Sequence, residues 1–257
     1  MTCAAVDAKD GRGARGVGCS GEGRLLPEFT PAPLPVSSPM SQSSLSPSAF
    51  FELGDVPFAE LFEVDLAWQA LGPRLATWLK GHLRPGIEGR VEDGAWIVGS
   101  DVFLGAGSVV EPGAYVKGPC WIGRNVEIRH GAYIRGQAII GDGAVVGHAS
   151  EVKGSIFLPG AKAGHFAYVG DSILGRDVNL GAGTKLANLR LEGDEVIVRS
   201  EGRRVPTGLR KLGAILGDCT QTGCNSVTNP GTLLGPRSRV LPCAAIAGHH
   251  GAESVLR

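Results

Sequence analysis

"VFLGAGSVVEPGAYVKGPCWIGRNVEIRHGAYIRGQAIIGDGAVV" (residues 102–146) carries an aliphatic residue at every sixth position: Leu104, Val110, Val116, Ile122, Ile128, Ile134, Ile140 and Val146. The series runs back to Val98 and on through Val152 to Leu158, eleven aliphatics in one register. Four residues after most of them stands a small or β-branched side chain, such as Val102, Ser108, Ala114, Cys120 and Ala138. A six-residue period is the signature of a parallel β-helix. Each unit supplies a short strand and a turn, and three units close a triangular coil of about 18 residues. The aliphatics stack inward, and glycines permit tight corners with positive φ. The expected fold class is therefore all-β, a left-handed parallel β-helix of hexapeptide repeats, one of the exceptions to right-handed crossovers.

Outside this stretch the register resumes at Leu174, Leu180 and Leu186, and again at Leu216, Leu234, Val240 and Ile246, with Thr222 and Thr228 in two of its positions. Between them, at about 187–213, "ANLRLEGDEVIVRSEGRRVPTGLRKLG" breaks the period. Its β-rich halves flank an EG pair, so a loop or hairpin projecting from the solenoid is expected, and such excursions often carry function. Upstream, residues 50–84 place Phe58, Leu61, Leu66, Trp68, Leu71, Leu75, Trp78 and Leu79 at mixed three-to-four spacing, with a break at Gly72-Pro73. That predicts a short helical segment serving as a packing cap or interface. Residues 1–48 are rich in Gly, Ser and Pro and are expected to be disordered; Met40 is an alternative start. Gly11, Gly13 and Gly16 have G-x-G-x-x-G spacing. They lack the preceding strand and following helix of a dinucleotide site, so they read as low complexity. The domain reading is 1–48, 50–84 and 85–257.

The chain has 257 residues, with 25 basic and 25 acidic side chains and 43% hydrophobic content. Zero formal charge argues against a general nucleic-acid binder, whose affinity would come from phosphate neutralisation. No apolar run reaches the ~18 residues of a membrane span. "MTCAAVDAKDGRGARG" has no apolar signal-peptide core, so a cytoplasmic protein is expected. The six cysteines lack paired C-x-x-C spacing, so neither a zinc site nor a disulfide framework is indicated.

Residues one coil apart stack at the ~4.8 Å strand spacing. Lys117, Arg135 and Lys153, each 18 apart, then form a column of three cations. Neighbours in it repel by ~1 kcal/mol in bulk water and ~3.5 kcal/mol at an effective dielectric of 20. Either the side chains splay along a solvated edge, or an anion such as a phosphate relieves the repulsion. His130 and His148 are also 18 apart, whereas His165 falls outside their register. A two-histidine ladder is expected rather than a metal site, which needs a full ligand set.

The segments "YIRG" (133–136), "EVKGS" (151–155), "KAGHFAYVGDS" (162–172) and "VNLGAGT" (178–184) resemble the acetyltransferase domain of bacterial N-acetylglucosamine-1-phosphate uridyltransferases. "GAGTKLANLR", "RKLGAILGD" and "NPGT" are more similar still to archaeal-type sugar-1-phosphate nucleotidylyltransferase/acetyltransferases. The likeness spans about 85–246. It implies an acyltransferase that moves acetyl from acetyl-CoA to an amino-sugar phosphate, with glucosamine-1-phosphate the first candidate, in nucleotide-sugar biosynthesis. Matched motif by motif, it implies that Arg135 and Lys153 bind the sugar phosphate, Tyr168 and Asn179 hold the amino sugar, and His165 is the catalytic base. It also implies that Asn188 acts beside the thioester and that Ala182, Gly223 and Cys224 contact the coenzyme. A homotrimer with sites between subunits follows from the same resemblance, and no metal does.

Acetyl transfer to an amine needs a base and oxyanion donors, and backbone N–H groups of the 181–184 turn are candidate donors. The other reading of His165 is a turn residue bonded to a carbonyl. The family pattern is departed from at Leu189, where an aromatic is usual, around Gly193-Asp194, where a lysine is usual, and near Pro242. About 85 residues precede the coils, too few for the family's nucleotidyltransferase domain, so nucleotidyl transfer is not expected of this chain. Two other readings stand: a different acyl donor or amino-sugar acceptor, or a non-catalytic trimer that binds sugar phosphates or scaffolds a separate nucleotidyltransferase.

Overall fold

Short parallel strands from successive coils build three sheets of nine, nine and eight strands in the computed structural model, which describes residues 42–54 and 56–257. The first face includes Val102–Leu104, Cys120–Ile122, Ala138–Ile140, Ile156–Phe157 and Ile173–Leu174. The second includes Glu127–Ile128, Val145–His148, Lys162–His165 and Asn179–Leu180, and the third Tyr115–Lys117, Tyr133–Ile134, Glu151–Lys153, Tyr168–Gly170 and Lys185–Leu186. The expected parallel β-helix is present, and its inward residues, from Leu104 and Val110 to Val240 and Ile246, form one stacked apolar core.

The register differs from the sequence reading at two places. Ile122 pairs with Ile140 one 18-residue coil on, but Ile140 pairs with Phe157 and Phe157 with Leu174. These two coils have 17 residues. The inward side chain is therefore Phe157, and Leu158 points outward into a second cluster. Shortening occurs at the corner between the third and first faces, where Gly136-Gln137 is followed one coil later by Gly154 alone. Ser155 and Ser172 stand there in place of Cys120 and Ala138, and both are fully buried. Their hydroxyls satisfy the tightened backbone: Ser155 Oγ donates to the Lys153 carbonyl at 2.8 Å, and Ser172 Oγ to that of Gly170 at 2.8 Å.

The first face also has an apolar outer side, with Ile139, Ile156, Ile173, Ile215 and Leu233 in one ladder. Against it lie Phe50, Phe58, Leu61, Trp68, Leu75 and Leu79 from the upstream segment and Val196, Val198 and Leu212 from the excursion. The segment at 50–84 is thus laid along a side of the prism instead of across an end. It has one α-helix, Pro73–His82, and otherwise 3-10 turns. Gln42–Leu45 and Pro47–Ala49 are also 3-10 turns, and Leu45 is buried, so order begins before residue 48. The rest of the expected disordered stretch, with its glycine motif and Met40, lies outside the described residues.

The excursion contains an antiparallel hairpin, Ile197–Ser200 with Arg203–Pro206. It folds back on the first face rather than projecting, since burying Val196 and Val198 there removes apolar surface from water. Beneath it the solenoid closes without interruption, Ile173 pairing with Ile215.

Candidate active site

Pleating sets two outward columns on the third face. One holds Tyr115, Tyr133, Glu151 and Tyr168, and the other Lys117, Arg135, Lys153 and Gly170. The cation column exists as the spacing predicted. Its repulsion is relieved within the chain: Arg135 Nη1 lies 2.6 Å from Glu151 Oε1, and Lys153 Nζ lies 2.6 Å from Asp171 Oδ2. Hydrogen bonding and charge from Glu151 push the Arg135 guanidinium further toward its protonated form. The Lys153–Asp171 pair is the more sheltered, with each side chain about 20% exposed.

From Asp171 the network continues to the amide and phenol. Asn188 Nδ2 donates to the same Asp171 Oδ2, and Tyr168 Oη donates to Asn188 Oδ1 at 3.3 Å. Burial, followed by the Glu151 and Asp171 charges, pushes the Tyr168 phenol above its ordinary value. The fourth position of the cation column has no side chain, and this allows the closure. A Cβ on Gly170 would stand 2.6 Å from Tyr168 Oη and 2.7 Å from Asn188 Nδ2. Arg135, Lys153, Tyr168 and Asn188 are therefore brought together.

His165 occupies the corner between the second and third faces. The 17-residue coil places it directly in register with His148, so His130, His148 and His165 form one ladder, contrary to the sequence reading. The His130 and His148 rings stack at 5.6 Å with 11° between planes, and each Nδ1 meets a backbone carbonyl. Among the described residues no group of three His, Cys, Asp or Glu side chains could hold a metal. The His165 imidazole is exposed, and no hydrogen bond to it is formed among the described residues.

The corner column continues past His165. The Gly183 N–H donates to the His165 carbonyl at 2.9 Å, the Asn225 N–H to that of Ala182 at 2.8 Å, and the Cys243 N–H to that of Cys224 at 2.9 Å. Ala182 and Cys224 therefore follow His165 up one edge. Gly223 lies beneath the next coil, where a Cβ would stand 2.4 Å from the Pro242 nitrogen, so close coil packing alone demands a glycine. Asn179 lies apart from Tyr168, exposed on the second face between Lys162 and Gln221. Of the departures, Leu189 is exposed and Asp194 is ion-paired with Arg190 at 2.8 Å.

Glu151 and Asp171 were absent from the sequence reading. A signal existed, since Asp171 follows Lys153 by the same 18 residues that defined the cation column.

The molecule is thus a three-faced parallel β-solenoid with a charged, amide-bearing cluster on one face and a histidine edge beside it. Residues 116–203 match the model of the GMPPB C-terminal domain. The bifunctional sugar-1-phosphate nucleotidylyltransferase/acetyltransferase of Sulfurisphaera tokodaii is 45% identical over 92 residues, 36% of this chain and 23% of that protein. The bifunctional protein GlmU of Methanococcus maripaludis is 44% identical over 86 residues, 34% of this chain and 21% of that protein. This chain spans about a fifth of the length of these relatives. Among solved structures, UDP-N-acetylglucosamine acyltransferase from Campylobacter jejuni aligns with a TM-score of 0.38 and 16% identity, covering 63% of this chain and 72% of that one. The fold itself is established by the strand register above. Among the described residues no helix is long and apolar enough to cross a membrane.

Proposed function

We propose that the chain is a CoA-dependent acyltransferase acting on the amine of a sugar phosphate, with acetyl the group transferred and glucosamine-1-phosphate the acceptor to try first. The observation that carries this reading is the third-face cluster of Arg135, Lys153, Tyr168 and Asn188, set beside an exposed histidine edge. Two cations held by carboxylates offer charge-assisted hydrogen bonds to a phosphate, with a geometry fixed before the ligand arrives. Tyr168 and Asn188 stand next to them as neutral donors and acceptors for a sugar and its amide product. Similarity to proteins named as sugar-1-phosphate acetyltransferases supports the same acceptor class.

In this reading the acceptor nitrogen attacks the thioester carbonyl carbon, the C–S bond breaks and the CoA thiolate leaves. His165 takes the proton from nitrogen, a role open to an exposed imidazole with no competing hydrogen bond. The column of Ala182 and Cys224 above His165, with Gly223 next to Cys224, offers a small-residue edge along which the extended coenzyme lies. Both elements sit on an open edge, and Asn179 is on the adjoining face. A homotrimer, with a neighbouring subunit facing this edge, would enclose the site. We place the activity in the cytoplasm, where acyl-CoA and sugar phosphates occur together.

His165→Ala tests the assignment. The variant should keep the wild-type trimer mass by light scattering, and its kcat should fall by ~10²–10⁴-fold, the usual contribution of a positioned base. Full activity in a folded His165→Ala trimer would return this histidine to an ordinary turn residue.

A further inference from the structure

Asp171 occupies a positive-φ corner with its Oδ1 stacked on the glycine one coil earlier, as Asn125, Asp177 and Asn225 are stacked on Gly107, Gly160 and Gly183. The corner positions one and two coils earlier are Gly154 and Gly136, with φ of +58° and +89°. Asp171 adopts +48°, a left-handed conformation that glycine enters freely and that Asp and Asn tolerate better than most side chains. The backbone alone therefore admits either residue, and what sets Asp171 apart is the use of its second carboxylate oxygen. Its Oδ1 sits over Gly154, where a Cβ would come within 2.5 Å of it. Its Oδ2 accepts from both Lys153 Nζ and Asn188 Nδ2.

These two donors belong to different halves of the proposed site. Lys153 is the cation for the acceptor phosphate, and Asn188 is the amide at the acyl end. One oxygen thus joins the two. It also fixes the Asn188 amide, whose Nδ2 is turned to Asp171 and whose Oδ1 is turned to Tyr168 Oη. On the proposed acyl-transfer reading, we infer that Asp171 is a positioning residue, which sets the Asn188 amide for the acyl group while tempering the Lys153 charge.

Removing the carboxylate then has two opposite effects. Asn188 loses its orientation and turnover falls, whereas Lys153 becomes a freer cation and the phosphorylated acceptor binds at least as well. A structural clamp is the competing reading, because the Gly213 N–H donates to the Asp171 carbonyl at 2.8 Å and the Leu212 N–H to that of Asn188 at 3.0 Å, closing the base of the excursion. Those bonds use backbone carbonyls and survive a side-chain change.

The test compares wild type, Asp171→Asn, Asp171→Ala, Asn188→Ala and the Asp171→Asn/Asn188→Ala double variant, by steady-state kinetics with acetyl-CoA and glucosamine-1-phosphate. Calorimetric titration with glucosamine-1-phosphate alone and light-scattering mass accompany the kinetics. Asp171→Asn is expected to lower kcat ten- to a hundredfold, with acceptor KM and calorimetric Kd unchanged or lower. Asp171→Asn should cost nothing further in the Asn188→Ala background. The inference is overturned if folded Asp171→Asn keeps its kcat, if acceptor KM rises in step with the loss, or if the two single effects multiply in the double variant. Asp171→Asn preserves size should the alanine variant misfold. A wild-type chain that transfers no acetyl group would remove the functional reading and the inference together, whereas active wild type with unchanged Asp171→Asn removes the inference alone.

Discussion

Replacing Gly170 with alanine adds one methyl group and no charge, yet should disable the third-face cluster. The new Cβ would stand 2.6 Å from Tyr168 Oη and 2.7 Å from Asn188 Nδ2, closer than carbon approaches either atom, so both side chains must move. Gly170 is not among the positive-φ residues, so the backbone accepts alanine and the coil persists. What is lost is the Tyr168–Asn188 hydrogen bond, about 0.5–1.5 kcal/mol, and the Asn188–Asp171 bond to a charged group, about 1.5–3 kcal/mol. The sum, about 2–4.5 kcal/mol, is an upper bound, because the displaced groups regain water. Acetyl transfer followed by thiol release should show kcat/KM for the acceptor down at least tenfold. The light-scattering mass should be unchanged and the unfolding midpoint modestly lower. A Gly170→Ala protein with wild-type kcat/KM would refute the claim that Tyr168 and Asn188 work from the positions seen here.

Further outcomes follow from the charged groups. Arg135→Ala and Lys153→Ala should each weaken binding of a phosphorylated amino sugar by about 1.5–3 kcal/mol, the range for hydrogen bonds to charged groups, and affect the phosphate-free sugar much less; calorimetry with both ligands checks this, and equal losses would make the column merely structural. Away from the site, burial lowers the pKa of His249 below the ordinary 6.5, and its Nδ1 lies 2.7 Å from Ser200 Oγ of the hairpin. The unfolded chain therefore binds this proton more readily than the folded one. Stability should fall as pH drops from about 6.5 until the lower folded-state pKa is passed, and a His249→Gln variant should lack that part of the slope in urea titrations.

Much of the architecture was legible because an inward aliphatic at every corner-to-corner step is needed to fill a triangular core. The two shortened coils were hidden by chemistry: Phe157 and Leu158 are adjacent apolar residues, and either satisfies a six-residue template. That one-residue slip also concealed the alignment of His165 with His148. The covering of the first face was not legible, since three-to-four spacing in residues 50–84 signals an apolar surface without naming what it meets. Similarly, "EVIVRS" announces a strand, but only tertiary contact sends Val196 and Val198 onto the first face. At the site, the 18-residue spacing marks the cations and also reaches Asp171 from Lys153, whereas Glu151 stands two residues from Lys153 in the neighbouring outward column, so spacing alone does not pair it with Arg135. Ala182 and Cys224 were reached only through family resemblance. Their place above His165 comes from the corner ladder of backbone hydrogen bonds.

The central claim is acyl transfer to an amino-sugar phosphate at this edge, and acceptor-dependent thiol release tests it most directly. Purified protein is mixed with acetyl-CoA and, in separate reactions, glucosamine-1-phosphate, other amino-sugar phosphates and unphosphorylated glucosamine, and free CoA thiol is followed. The account predicts thiol release with at least one amino-sugar phosphate, far slower release with glucosamine, and a further loss in His165→Ala. No release above the acceptor-free rate with any amino-sugar phosphate, from folded protein, would contradict it.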